Sequence, residues 1–108
     1  MGVERQPWTM ALQRTGGLFA GAELTTSVRS ADLDDESREA LERHIEQAGF
    51  EQLAQRSPIT GPGADMYQYE VTLERGGRRS SVVVSQTAVP DSLRPLVEWL
   101  EQRAIDEQ

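Results

Sequence analysis

The stretch MYQYEVTLERGGRRSSVVVSQ, residues 66–86, decides the fold. Tyr67, Tyr69, Val71 and Leu73 alternate with polar residues, and Val82 and Val84 repeat the alternation on the way back, as expected of strands with one buried face. Gly76-Gly77 between them supplies the positive φ angles of a tight hairpin turn. Working back toward the N-terminus, Trp8, Met10 and Leu12 alternate with Thr9, Ala11 and Gln13, and Ala22, Leu24, Thr26 and Val28 do so again. These predict a second hairpin, joined through the glycine-containing stretch RTGGLFAGAE, residues 14–23.

Between the hairpins, SADLDDESREALERHIEQAGF carries both ends of a helix over 34–48. Asp34 can accept from the first free amides, and Asp35 and Glu36 suit the positive end of the helix dipole. Ala40, Leu41, His44, Ile45 and Ala48 form an apolar stripe at helical spacing. Gly49 fits the left-handed cap, with Phe50 folding back on the last turn. RSPITGPGADM, with two Pro and two Gly, is a loop. In PDSLRPLVEWLEQRAIDEQ, Leu93, Leu96, Val97, Leu100 and Ala104 share a helical face, and Pro95 requires a helix starting near Asp91. The expected fold is α+β, in the order β-β-α-β-β-α: a four-stranded, mainly antiparallel sheet with two helices packed on one face. A length of 108 residues predicts a single domain, 1–108, with an ordered core over about 8–104 and short flexible termini.

Composition narrows the chemistry. There is no cysteine and only one histidine, so thiolate metal sites, disulfides and thiol nucleophiles are excluded, and neither a bound metal nor a cofactor is expected. A net charge of −7 argues against nucleic acid, whose phosphates are bound by neutralising cations. No apolar stretch reaches membrane-spanning length and no signal segment opens the chain, so a cytoplasmic protein, monomeric when free, is expected. Asp34, Asp35 and Glu36 cluster at a helix start instead of facing each other across a cleft, and Ser80, Ser81 and Ser85 lie in a strand without a nucleophile elbow. His44 sits on an apolar stripe as a packed residue, and no catalytic set emerges. RGGRR at the hairpin tip reads as solvated surface.

The stretch at 14–23 is left over. Leu18 and Phe19 stand among Gly16, Gly17, Ala20 and Gly21. They either tuck back to cap the core or form an apolar tip whose glycine-lined backbone a partner can approach closely.

The combination of RTGGLFAG, a helix ending in AGF, YQYEVTLERGGRRSSVVV and VPDSLRPLVEWL, in this order from about Trp8 to Arg103, resembles the emfourin family of small bacterial inhibitors of protealysin and other thermolysin-like zinc metallopeptidases. Where that family's loop tends to read Gly-Gly-Phe-Ala-Gly, this chain has Leu18 before Phe19. The resemblance implies a non-enzymatic inhibitor with such a peptidase as partner. Residues Gly16, Gly17, Leu18, Phe19, Ala20 and Gly21 would then be the protease-binding loop. Thermolysin-like enzymes prefer a bulky apolar residue just after the cleaved bond, so Leu18 or Phe19 would occupy that pocket, with the zinc met by a backbone carbonyl or simply occluded. The alternative is an interaction or scaffold domain using the exposed sheet face or the RGGRR tip.

Overall fold

The computed structural model describes residues 6–16, 23–62 and 67–107. Strands β1 (Trp8–Gly16) and β2 (Leu24–Arg29) are followed by helices α1 (Asp35–Ala48) and α2 (Phe50–Arg56), strands β3 (Tyr67–Arg75) and β4 (Arg78–Ser85), and helix α3 (Arg94–Asp106). Short 3-10 turns at Ser30–Asp32 and Gln86–Ala88 lead out of β2 and β4. All strand pairs in the four-stranded sheet are antiparallel, in the order β2-β1-β3-β4. The two hairpins therefore meet along their first strands, which sequence left open.

The alternation predicted for the strands sets one face of this sheet. Met10 lies opposite both Val28 and Leu73, Leu12 opposite Val71, and Val71 opposite Val82. Directly opposed residues share a face. These side chains are buried and join Leu41, Ile45, Phe50, Leu53, Leu96, Val97 and Leu100 from the helices in one hydrophobic cluster. The residues between them, such as Thr25, Ser27, Glu70 and Glu74, are exposed on the opposite face.

Helix α1 follows the sequence closely. Asp34 accepts from the Ser37 amide at 3.0 Å, hydrogen bonding to the Ser37 side chain and then to this amide holds its carboxyl below the usual carboxylate range, and Gly49 is left-handed at φ 60°. Two details of the sequence reading are corrected. A further helix follows the cap: Phe50 opens α2, for which Gly49 is also the N-cap, so the order is β-β-α-α-β-β-α with three α-helices in place of two. The left-handed glycine redirects the chain, and Phe50 and Leu53, three residues apart, then reach the core. A helix of seven residues is too short to stand out as a periodic pattern beside a strong cap signal. Helix α3 begins at Arg94 and not near Asp91, because Pro90 to Leu93 form a preliminary turn in which the Leu93 and Arg94 amides both reach the Pro90 carbonyl. Pro95 still falls in the first turn, where its missing N–H costs nothing.

The segment after α2 covers the Val83–Ser85 end of the β4 edge. Ile59 donates to the Val83 carbonyl at 2.8 Å and accepts from the Ser85 amide at 2.9 Å, and Ser57 Oγ accepts from the Val83 amide at 2.8 Å.

Candidate functional site

Strand β1 ends at Gly16, whose φ of 87° requires a residue without a Cβ. The remaining candidate loop residues, Gly17, Leu18, Phe19, Ala20 and Gly21, lie outside the described residues, as does Ala22. What can be built upward is the base from which this segment leaves, formed by the end of β1 and the start of β2.

Arg14 has the same parity as Trp8, Met10 and Leu12, so it is directed to the buried face. An inward-facing guanidinium needs compensation. It finds this in Glu101 of α3, with Nη1 to Oε2 at 2.7 Å and side-chain exposures of only 18% and 23%. The Tyr69 hydroxyl donates to the same carboxylate oxygen at 2.9 Å. Burial, followed by this hydrogen bond and the adjacent negative charge, pushes the Tyr69 phenol up to about 12. The guanidinium also lies 4.3 Å from the centroid of the Tyr67 ring, which stands beside Gly16 in the sheet register.

The second stem is tied to the same helix. Thr26 Oγ1 of β2 donates to Glu107 Oε1 at 2.6 Å, and Glu107 follows the end of α3. Glu101 and Glu107 are about 9 Å apart along the helix axis at the usual rise per residue. On the opposite sheet face, Gln13 Nε2 donates to Glu23 Oε1 at 2.7 Å, linking the two stems directly. Both strands that deliver residues 17–22 are thus held to one helix on one face and to each other on the other.

Among these groups Gln13, Thr26, Tyr67 and Tyr69 drew notice in the sequence, and only as strand residues. Arg14 carried a usable signal, a cation continuing an apolar alternation. Glu101 carried none, because its partner is 87 residues away.

The other sequence candidates are accounted for locally. Asp35 pairs with Arg38 at 2.6 Å. His44 is half-buried, and that burial, with a contribution from Arg43, lowers its pKa below the ordinary 6.5. Ser81 Oγ shares a hydrogen bond with Thr72 Oγ1 across the β3–β4 pair. Among the described residues there is no group of three His, Cys, Asp or Glu side chains that could hold a metal ion. Nor is any helix there long and apolar enough to cross a membrane.

Comparison with known proteins gives no match among curated proteins or solved structures. A model of the family described as Emfourin, however, matches residues 12–101, a span that starts in β1, takes in both stems of the glycine-rich segment and ends at Glu101. The chain therefore belongs to the emfourin family.

Proposed function

We propose that the chain is a non-enzymatic inhibitor of thermolysin-like zinc metallopeptidases that blocks the active-site cleft with residues 16–21, Leu18 or Phe19 acting as the apolar anchor. Family membership carries the inhibitor reading. The base geometry supports the choice of segment. Stems fixed by Arg14–Glu101, Thr26–Glu107 and Gln13–Glu23 lower the ordering cost that a binding loop otherwise meets on association. The left-handed Gly16 permits a sharp exit from β1. Glycines and a small alanine around two large apolar residues leave backbone that an enzyme cleft can approach closely.

The deciding experiment titrates a thermolysin-like peptidase with the purified chain and follows hydrolysis of a short peptide substrate. Stoichiometric inhibition at or below micromolar concentration, competitive with substrate, is expected. Full peptidase activity in the presence of excess chain would remove the proposal.

A further inference from the structure

The two edges of the sheet are treated differently. At β4, Val83 and Ser85 would turn backbone groups to solvent, but Ser57 meets the Val83 amide, and Ile59 meets the Val83 carbonyl and the Ser85 amide. At β2 no such cover is present among the described residues. The direction of its backbone groups follows from Trp8, whose amide donates to Ser30 Oγ at 3.0 Å on the β2 side. Backbone groups alternate sides along a strand, so Met10, Leu12 and Arg14 also face β2, and their partners Val28, Thr26 and Leu24 face back. Thr25 and Ser27 then direct both N–H and C=O outward. The strand, LTTSVR, has no proline, no lysine and no bulge in its register to guard it, and its one charged residue is Arg29 at its end.

We infer that β2 is a self-association edge, pairing antiparallel with β2 of a second copy about a twofold axis at Thr26. This register sets Thr25 opposite Ser27 twice, and two such pairs exchange about four backbone hydrogen bonds. It also sets Glu23 of each copy opposite Arg29 of the other on the outer sheet face. Both residues are exposed, with the Arg29 side chain 70% accessible, and their present partners, Gln13 and Asp32, are surface contacts that can be shared or exchanged. The coincidence of backbone and charge complementarity at one centre favours a second copy over an unrelated strand, which would match only the backbone. A six-residue edge is small beside stable interfaces, and each copy carries −7. The dimer is therefore weak, with a Kd on the order of 10⁻⁴ M. This inference does not rest on peptidase inhibition.

The test is sedimentation equilibrium from about 10 µM to about 1 mM at about 0.15 M salt, where long-range repulsion is screened. The mass should rise from 12.0 kDa toward twice that value. Ser27→Pro removes an outward amide that the protein's own sheet does not use, so it should keep its circular dichroism spectrum and remain monomeric. Glu23→Arg and Arg29→Glu should each weaken association about tenfold, and the double exchange should restore it, an arm that holds even if the proline variant fails to fold. A chain that stays monomeric at about 1 mM overturns the inference. So does a dimer indifferent to the charge exchanges, or exchange protection of the Thr25 and Ser27 amides that appears only when a peptidase is added.

Discussion

The two ends of the sheet show opposite ways of holding a hairpin. At one end β3 turns into β4 through Gly76 and Gly77, at φ 60° and 78°, and the geometry of the turn is sufficient in itself. Arg78 and Arg79 are exposed, and the ion pairs nearby, Arg79–Glu74 and Arg75–Glu51, are long at 3.7 Å. At the other end β1 and β2 are joined by a longer, glycine-rich segment, of which residues 17–22 lie outside the described residues. There the stems carry hydrogen bonds of 2.6 to 2.7 Å to α3 and to each other, and Tyr69 of β3 adds one of 2.9 Å to Glu101. A short turn is fixed by backbone torsions, whereas a long connection must be fixed from outside, and charged or phenolic side chains partly removed from water do this most strongly.

The comparison can be broken at several strengths. The largest effect belongs to the core both ends share. Leu41 and Leu100 are fully buried, and truncation of either to alanine should cost roughly 2–5 kcal/mol in urea unfolding, by lost transfer energy and the cavity left behind. An unchanged midpoint would remove the shared core from the account.

Next comes the glycine-rich end itself. Phe19→Ala or Leu18→Ala should weaken peptidase inhibition by at least about 2 kcal/mol, a factor of about 30, with little change in thermal stability. Loss of stability with inhibition intact would instead make these residues a cap on the core.

The clamp beneath that end sharpens the contrast through pH. The Tyr69 phenol is held near 12 in the folded chain, against 10 in the unfolded one, so between these values the folded state retains a proton that the unfolded state releases. Stability is then full below pH 10 and falls as pH rises toward 12, by on the order of 2 kcal/mol. Denaturant midpoints measured across this range should fall, and Tyr69→Phe should flatten the slope. A wild-type phenol titrating at 10 by ultraviolet absorbance would show the clamp to be loose.

The smallest effect is expected at the tight turn. Arg78→Ala should change stability by less than about 0.5 kcal/mol and leave inhibition within a few-fold, since it removes only an exposed charge. A large loss of inhibition there would transfer the binding role to the RGGRR tip.

How much of this was legible beforehand depends on the range of the interaction involved. Alternation from Trp8 to Leu12 and from Tyr69 to Leu73, the Asp34 and Gly49 caps and the Gly76-Gly77 turn are set by neighbours within a few residues, so the strands, α1 and the second hairpin could be read directly. The order of motifs along the chain likewise carried the family. Helix α2 escaped because a glycine that ends one helix can begin another, and only the core that receives Phe50 and Leu53 distinguishes the two outcomes. Strand order escaped because either strand of one hairpin could meet the other with its apolar face kept inward.

What the sequence determined by itself is therefore the local pattern: which residues turn inward, where two helices lie and which glycines break the chain. What only the tertiary structure decided is who meets whom. Arg14 reaches Glu101 across 87 residues, Thr26 reaches Glu107 across 81, and Ile59 covers one end of β4 while β2 is left without such cover among the described residues. The reason is physical: torsional preference and hydrophobic periodicity act between near neighbours, whereas the partner of a half-buried charge or a free sheet edge is set by packing of the whole chain, which no local spacing records.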